Sequence, residues 1–424
     1  MSAPMTPATP AAAPSWAPSP REYDDLALAL DGILPEVTVT APAEFTASTV
    51  EAVELIEAVD LTDPEGTPVA RLTVTHRRES EPGRWDLTGP VTALRPREDG
   101  VFRHLHLTPA EVRAQLDGVK VAAVPLDAPL DAAALDRLAE ATAGYAATVL
   151  LPLVGVGSPR LVSAHALVRA TTAAAQLLPG DPLVVPVSLA RRGRPEDDAL
   201  LRTQVAAAYG DPIEVAHAGA EPSSGTAAYP ELIAAIVRAE HPAPHARGLV
   251  VFFTGLSGSG KSTLARRLRD LLLERGDRTL TLLDGDVVRR MLSAGLGFSK
   301  PDREANIRRI GFVAAEVARH GGLAICAPIA PYAATRAEVR RMVEEAGGAF
   351  VLIHVATPLA ECERRDRKGL YALARAGQIA EFTGISDPYE EPADADLTLD
   401  TSGRAVDDVA AEVLDLLTGR GWLR

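Results

Sequence analysis

Eight consecutive residues, Gly255-Leu-Ser-Gly-Ser-Gly-Lys-Ser262, have the composition and spacing of a loop that binds phosphate groups. The glycines allow backbone N–H groups to turn inward around an anion, and Lys261 can reach the outer phosphates. The hydroxyl of Ser262 is a candidate Mg²⁺ ligand. An apolar strand is predicted before the motif and an amphipathic helix after it, which is the context that this motif requires.

Two carboxylates follow the next predicted strand, in the segment Leu283-Asp284-Gly285-Asp286. At the carboxyl end of a parallel strand they would face the phosphate-binding loop. There they could bind Mg²⁺ or accept a proton from a hydroxyl group. The alternative interpretation is that one aspartate caps a helix and the other is solvated.

Two later segments combine basic side chains with aromatic or amide groups. The first contains Phe298, Arg303 and Asn306, and a guanidinium there can bind a phosphate or sulfate group through two hydrogen bonds. The second spans residues 362–371, is basic and includes Lys368, as expected of a mobile lid over a transferred phosphoryl group. Taken alone, each segment is also compatible with a charged helix start or a solvated basic loop.

The pattern of apolar and amphipathic segments predicts an α/β domain over residues 248–424. Strands are predicted at Leu249–Thr254, 279–283, Leu323–Ala327, 350–356 and 396–399, and helices at 261–274, 302–320 and 335–345. Strands alternating with helices at this spacing predict a doubly wound parallel sheet, with ligands at the carboxyl ends of its strands.

The preceding residues have a different pattern. Residues 1–22 are rich in Ala and Pro and are predicted to form a disordered tail. Residues 25–140 contain more strand than helix signals, and residues 145–238 alternate apolar runs, including 183–189, with helical stretches. The Pro-rich segment 239–247 is predicted to be a linker.

Composition excludes some classes of function. The 424 residues include 43 basic and 57 acidic side chains, a net charge of −14, which argues against a dedicated nucleic-acid-binding protein. Two cysteines cannot form a disulfide framework or a four-cysteine zinc site, and they fit a reducing compartment. Neither a signal peptide nor a membrane span is predicted. We therefore expect a cytoplasmic protein without nucleic-acid or membrane partners.

The C-terminal segments together resemble adenylylsulfate kinase, also called APS kinase, over about residues 245–420. The resemblance is carried by Phe253-Thr-Gly-Leu-Ser-Gly-Ser-Gly-Lys-Ser-Thr263, Leu283-Asp-Gly-Asp286, Leu296-Gly-Phe-Ser299, Asn306-Ile-Arg-Arg-Ile-Gly-Phe312, Lys368-Gly-Leu-Tyr371 and Phe382-Thr-Gly-Ile385. The phosphate-binding loop alone indicates only a P-loop kinase, and the ordered set is far more specific.

This resemblance implies that ATP, with Mg²⁺, phosphorylates the 3′-hydroxyl of adenosine 5′-phosphosulfate (APS) to give PAPS and ADP. It implies a homodimer, and it implies catalytic roles for Asp284, as the base, and for Lys261 and Lys368. The residues implied to bind ATP are Gly255, Leu256, Ser257, Gly258, Ser259, Gly260, Lys261, Ser262 and Thr263, with Mg²⁺ on Ser262 and Asp286. The residues implied to bind APS are Asp284, Asp286, Arg289, Phe298, Arg303, Asn306, Ile329, Lys368 and Phe382, the two phenylalanines enclosing its adenine.

Two positions depart from the family pattern. Ala330 stands where some members carry a serine discussed as a phosphorylated intermediate. A covalent intermediate at that position is impossible here, so direct in-line transfer is expected. Ala372 follows Gly-Leu-Tyr where lysine is common, which would weaken one contact of the lid.

The first half resembles ATP sulfurylase. Residues 25–140 resemble its PUA-like N-terminal domain, through Leu61-Thr-Asp-Pro-Glu-Gly-Thr-Pro-Val-Ala70, Gly89-Pro90 and Leu107-Thr-Pro-Ala-Glu111, and residues 145–238 resemble the start of its nucleotidyltransferase domain. In that family, paired histidines and an arginine stabilise the phosphoryl group attacked by sulfate. Here Gly157-Ser-Pro-Arg160-Leu-Val162-Ser-Ala-His165 retains only the second histidine.

The first half is therefore predicted to be a truncated, non-catalytic sulfurylase-like region. Three alternatives stay open for the whole chain. It could be a bifunctional PAPS synthase, a regulatory nucleotide-binding partner of a separate sulfate adenylyltransferase, or a P-loop kinase for another small molecule. The aromatic pair with Arg303 and Asn306 favours a nucleotide acceptor over a sugar.

Overall fold

The computed structural model describes residues 13–42, 56–96, 101–215 and 229–424, apart from the side chain of Asp286. Its contacts divide the chain into two compact units, Met1–His241 and Pro242–Arg424. Among the described residues, no helix combines the length and the apolar character needed to cross a membrane.

The first unit opens with a β-rich region, as predicted. Its elements are β1 (Ser15–Trp16), α1 (Pro20–Leu30), β2 (Val37–Thr40), β3 (Ala58–Thr62), β4 (Pro68–Thr73), β5 (His76–Glu81), β6 (Arg84–Gly89) and β7 (Val91–Ala93). They form two sheets, in the orders β1–β3–β4–β7 and β2–β6–β5. Alternate strand residues such as Val39, Leu61 and Leu72 share one core, because successive side chains of a strand point to opposite faces.

The predicted disordered tail is wrong over residues 13–22, and residues 1–12 lie outside the described residues. Strand β1 pairs with β3, and Trp16 is buried. Ser19 caps α1 in a capping box, in which the Glu22 carboxylate accepts a hydrogen bond from the Ser19 N–H at 2.7 Å. Ser-Pro-Arg-Glu is a recognisable helix start with proline at its first position, a signal that the Ala- and Pro-rich composition masks.

The remainder of the first unit is α/β. It contains α2 (Pro109–Gln115), β8 (Val121–Leu126), α3 (Ala132–Thr142), β9 (Ala147–Pro152), α4 (Ala164–Ala175), β10 (Leu183–Val184), α5 (Pro195–Tyr209), β11 (Asp211–Pro212) and α6 (Glu231–Glu240). The strands form a parallel sheet in the order β10–β9–β8–β11. The strand predicted over 183–189 is regular over only two residues. Its pairing with β9 continues as single hydrogen bonds, from the Val185 N–H to the Leu150 carbonyl at 2.9 Å and from the Val187 N–H to the Pro152 carbonyl at 3.0 Å.

The second unit is a doubly wound α/β fold, as predicted. Its elements are β12 (Leu249–Thr254), α7 (Lys261–Arg275), β13 (Leu280–Asp284), α8 (Gly285–Met291), α9 (Lys300–Arg319), β14 (Leu323–Ala327), α10 (Ala333–Glu345), β15 (Ala349–Val355), α11 (Leu359–Arg365), α12 (Leu370–Arg375), β16 (Leu397–Leu399) and α13 (Val406–Gly419). All strand pairs are parallel, in the order β13–β14–β12–β15–β16.

Strand β12 lies at the centre of this sheet and is buried on both faces. Val251 and Phe253 pack in a core shared with α7 and α13, whereas Val250 and Phe252 pack in a core shared with α9 and α10. The chain order reverses at β12, since β13 and β14 lie on one side and β15 and β16 on the other. The crevice for a ligand in such folds lies at the carboxyl end of the strands at this switch point.

Phe252→Ala should lower the free energy of unfolding of the second unit by about 3–5 kcal/mol, because it leaves a cavity in the core. Phe252 is fully buried and its ring centroid lies 5.4 Å from that of Phe350. Urea denaturation followed by hydrogen exchange of peptides from β12 would measure the change. The control is Phe312→Ala, at a side chain that is 63% exposed, where we expect a change within about 0.5 kcal/mol. Equal losses in both variants would contradict the assigned core.

Candidate active site

The loop between β12 and α7 has a backbone shape that depends on its glycines. Gly255, Gly258 and Gly260 have φ angles of 149°, 75° and 101°, which side-chain-bearing residues rarely adopt. A Cβ atom at Gly255 would also lie 2.4 Å from the Val355 carbonyl oxygen. Residues 255–260 thus form a tight turn that requires glycine at three positions.

Side chains from three other segments hold this loop by its carbonyl groups. Thr357 and Thr401 donate hydrogen bonds to the Ser259 carbonyl at 3.0 and 2.9 Å. The Tyr371 hydroxyl donates to the Ser257 carbonyl at 2.8 Å. These three anchoring residues lie outside the predicted set of site residues.

Lys261, on the first turn of α7, is buried within the loop. Its Nζ donates to the Leu256 carbonyl at 2.6 Å and lies 3.4 Å from the Ser259 hydroxyl. Burial lowers the pKa of the Lys261 ammonium to about 8, the Cys362 thiol opposes this shift, and the positive charge of Lys368 adds to it. The exposed Lys368 is therefore close enough for its positive charge to influence the ammonium of Lys261 in the loop.

Asp284 ends β13 at the carboxyl edge of the sheet. It is 8% exposed, and its Oδ2 lies 3.5 Å from Nη2 of Arg266 on α7. The carboxylate therefore sits beside the helix that starts at the phosphate-binding loop. Asp286 lies on α8, but its side chain is outside the described residues, so its predicted roles stay predictions.

The predicted Mg²⁺ site would draw on Ser262 and the aspartates of this edge. Within the described residues no group of three His, Cys, Asp or Glu side chains converges as a metal site. Mg²⁺ in nucleotide-dependent enzymes is bound by one or two protein groups together with substrate phosphates and water. A hydroxyl on the first turn of α7 and a buried carboxylate are of the type that this ion prefers, so the residues present fit it.

Helix α9 presents Arg303 and Asn306 on one face, one turn apart, and both are less than 9% exposed. Arg303 Nε and Asn306 Oδ1 are buried and have no hydrogen-bond partner among the described residues. Leaving a buried polar atom unpaired costs about 1–3 kcal/mol, so such atoms are rare away from functional sites. Two such atoms on the same face of α9 support the predicted binding of a polar ligand there.

The two predicted aromatic side chains flank this helix start. Phe298 is 66% exposed, with the Arg289 guanidinium carbon 4.5 Å from its ring centroid. Phe382 packs edge-on against Tyr371, with a centroid distance of 5.0 Å. The segment of Phe382 is tied to the start of α9 by a hydrogen bond from the Lys300 N–H to the Glu381 carboxylate at 3.2 Å.

Ile329 connects the end of β14 to the phosphate-binding loop. Its carbonyl accepts hydrogen bonds from the Thr254 hydroxyl at 2.7 Å and from the Gly255 N–H at 3.3 Å. Ala330 beside it is 1% exposed and has a φ of 46°. The structure therefore brings Ile329 to the end of β12 and the first residue of the phosphate-binding loop.

In the first unit, the residues of the degenerate histidine stretch are engaged elsewhere or exposed. Arg160 Nε lies 2.9 Å from the buried carboxylate of Asp127, which Arg202 also approaches at 3.5 Å. His165 is exposed on the first turn of α4. The arginine of this stretch is thus neutralised by an internal carboxylate.

The loop, the parallel sheet and the adjoining carboxylate define the second unit as a P-loop kinase, a class that transfers phosphoryl groups from nucleotides. Residues 247–400 match the family model described as adenylylsulphate kinase. The domain is an adenylyl-sulfate kinase domain, as the sequence predicts.

The solved structures include relatives of this family. A hexameric APS kinase from Thiobacillus denitrificans is 29% identical, with a TM-score of 0.78, and the match covers 97% of this chain and 94% of that chain. An APS kinase from Mycobacterium tuberculosis in complex with AMPPNP and APS is 49% identical, with a TM-score of 0.39, over 41% of this chain and 98% of that one. The first match extends over both units.

The curated relatives are sulfate adenylyltransferases. That of Neosartorya fischeri is 47% identical over 194 residues, which is 46% of this chain and 34% of the relative. The chain thus spans about a third of the length of these relatives.

Nucleotide binding should weaken as the pH rises from 7 to 9.5. The Lys261 pKa of about 8 in the free protein means that its charge is lost in this range, whereas bound phosphates favour the ammonium and raise its pKa. Binding therefore takes up a proton, and affinity falls by up to about tenfold per pH unit above the free pKa. Calorimetry with AMP-PNP in two buffers of different ionisation enthalpy would measure both effects. Lys261→Arg stays charged, and an equal pH dependence in this control would contradict the assignment.

Tyr371→Phe should raise the KM for ATP by about three- to tenfold, because it removes one hydrogen bond worth about 1 kcal/mol that holds the loop. Burial raises the pKa of the Tyr371 phenol, so this group remains a donor at neutral pH. Steady-state kinetics would measure the change. Tyr23→Phe, at a residue 39% exposed in the first unit, is the matched control, and equal KM values in all three proteins would refute the role.

Proposed function

We propose that the chain transfers the γ-phosphoryl group of ATP to the 3′-hydroxyl of APS, giving PAPS and ADP. The observation that carries the proposal is the arrangement at one sheet edge. A buried lysine in a glycine-rich loop lies with a buried carboxylate, Asp284, at the carboxyl ends of parallel strands. The family match names the acceptor class.

The acceptor would occupy the face of α9. Arg303 and Asn306 have unpaired polar atoms there for the phosphosulfate and ribose groups, and Phe298 and Phe382 would enclose the adenine. Asp284 and Ile329 would border the ribose, with Asp286, Arg289 and Lys368 beside the substrate. An exposed aromatic ring with a guanidinium on it is suited to a planar, anionic nucleotide.

The reaction requires little covalent chemistry from the protein. The phosphate-binding loop, residues Gly255 to Thr263, would bind the triphosphate, with Lys261 on its outer phosphates. Asp284 would accept the proton of the 3′-hydroxyl as the new bond to phosphorus forms and the bond to ADP breaks. Lys368 would offset the developing charge from the lid. Mg²⁺, held by Ser262 and Asp286 and the phosphates, would neutralise the nucleotide.

Transfer is proposed to be direct. Ala330 has no hydroxyl to be phosphorylated, and its carbonyl is bound by Arg336 at 2.8 Å and by Thr254 at 3.2 Å. No covalent intermediate can form at that position, so acceptor and donor must be bound together.

For the first half we propose a non-catalytic, sulfurylase-like region, with domain boundaries at 25–140 and 145–238. The Asp127 carboxylate neutralises Arg160, and His165 has no paired histidine in the sequence. A bifunctional PAPS synthase is the second candidate, favoured by curated relatives that are sulfate adenylyltransferases.

We also propose that the chain assembles with copies of itself, since its Thiobacillus denitrificans relative is hexameric.

PAPS formation from ATP, Mg²⁺ and APS, followed by chromatography and mass spectrometry, tests the proposal. Asp284→Asn should lower kcat by about 10²–10⁴-fold, since it removes the general base. Asp270→Asn, an exposed aspartate of α7 bonded to Arg269, should retain wild-type kcat. Nucleotide binding without PAPS formation would instead support the regulatory alternative.

A parallel reaction with sulfate in place of APS, containing pyrophosphatase, should give neither APS nor PAPS. The paired catalytic groups of sulfurylase are absent from the first half. The rate of APS formation from sulfate should therefore not exceed that of a control variant that carries both Asp127→Ala and His165→Ala. PAPS formation from sulfate would establish the bifunctional alternative.

A further inference from the structure

Arg303, which is proposed to bind the acceptor, forms a network with two side chains to which the proposed reaction gives no role. Arg303 comes from α9, Tyr332 immediately precedes α10, and Asp387 lies between α12 and β16. Arg303 and Tyr332 are 8% and 5% exposed, and the side chain of Asp387 is 14% exposed. Three segments distant in sequence thus converge on one buried point.

Tyr332 bridges the two charged groups. Its hydroxyl donates to Asp387 Oδ2 at 2.8 Å and accepts from Arg303 Nη2 at 2.7 Å, while the same Nη2 lies 3.1 Å from Asp387 Oδ2. Burial raises the pKa of Tyr332 to about 12, so the phenol is protonated and donates at neutral pH. Charge-assisted hydrogen bonds of this kind are about twice as strong as neutral ones.

The same guanidinium binds both sides of Phe382. Arg303 Nη1 donates to the Glu381 carbonyl at 2.5 Å and lies 3.4 Å from the Thr383 hydroxyl. Only Nε is left without a hydrogen-bond partner among the described residues.

Residues 381–387, which we call the Phe382 loop, form a closed turn. The Phe382 N–H donates to the Ser386 hydroxyl at 2.8 Å, and the Asp387 N–H donates to the Phe382 carbonyl at 3.1 Å. The Gly384 N–H donates to the Asp387 carbonyl at 2.7 Å. The position of this closed turn relative to α9 is fixed by Arg303, Tyr332 and Asp387, together with the hydrogen bond from the Lys300 N–H to the Glu381 carboxylate.

We infer that Tyr332 and Asp387 are positioning residues for the acceptor: they hold Arg303 so that its Nη groups fix the Phe382 loop against α9 and its Nε serves the acceptor anion. The guanidinium of Arg303 then both holds the loop that carries Phe382 and binds the anionic group of the acceptor. The inference rests on the proposed function, since it takes the ligand of this face to be APS.

The kinetic test uses the full chain with Tyr332→Phe and Asp387→Asn. Tyr332→Phe keeps the ring, which lies 4.6 Å from Lys300 Nζ, and removes only the bridging hydroxyl. We expect the KM for APS to rise about tenfold or more in both variants, while kcat and the KM for ATP stay within about threefold. Glu390→Gln is the matched control. This carboxylate, from the same segment, binds the Ala333 N–H at 2.6 Å, and its loss should leave the KM for APS within about twofold.

A second measurement does not depend on the substrate. Hydrogen exchange of the ligand-free protein should be about tenfold faster or more over residues 381–387 in Tyr332→Phe and Asp387→Asn, and unchanged in Glu390→Gln. Thermal unfolding of each variant establishes that it is folded.

The outcomes separate the two proposals. Unchanged exchange in folded variants would refute the network itself. Faster exchange with an unchanged KM for APS, or with kcat lowered and KM unchanged, would refute its role in positioning the acceptor. If the wild-type protein makes no PAPS, the proposed function fails, and the acceptor role of the network falls with it.

Discussion

The phosphate-binding loop is held in shape by hydrogen bonds to its carbonyl groups, and the placement of the other candidate site residues around the loop depends on these bonds. Thr357 follows β15, Thr401 follows β16 and Tyr371 lies on the first turn of α12. The ends of β15 and β16 and the predicted lid segment therefore each fix part of the loop. Anchors of this kind limit the number of shapes that the loop can adopt, which lowers the cost of fixing its N–H groups around the proposed phosphate ligand. The loop also buries Lys261, whose ammonium contacts only uncharged oxygens, those of the Leu256 carbonyl and the Ser259 hydroxyl, among the described residues. An anion bound in the loop could therefore pair with this charge.

The sheet explains why the proposed donor and acceptor sites lie at one edge of the second unit. β12 carries the phosphate-binding loop, β13 ends at Asp284, and the segment after β14 carries Ile329 and Tyr332. Parallel strands present all these ends at one edge, and the reversal of strand order at β12 opens the crevice there. Helix α9 then supplies Arg303 and Asn306 from the side.

Much of this could be predicted from the sequence, because the signals are local. The bounds of β12 and β14 follow from uninterrupted apolar runs, and the phosphate-binding loop has a motif with a physical meaning. The anchors of the loop could not be predicted, because a single threonine after a strand has no distinctive pattern. The Arg303 network joins residues 29 to 84 positions apart, a distance over which sequence spacing carries no information.

The acceptor is the central claim, and relative specificity tests it most directly. Initial rates of ADP formation should be measured with APS, AMP, gluconate and shikimate under identical conditions. We expect kcat/KM for APS to exceed that for each other acceptor by about 10³-fold or more, since gluconate and shikimate lack an adenine and AMP lacks the sulfate group of APS. Comparable kcat/KM for gluconate or shikimate, with APS no better, would contradict the claim and assign the chain to another small-molecule acceptor.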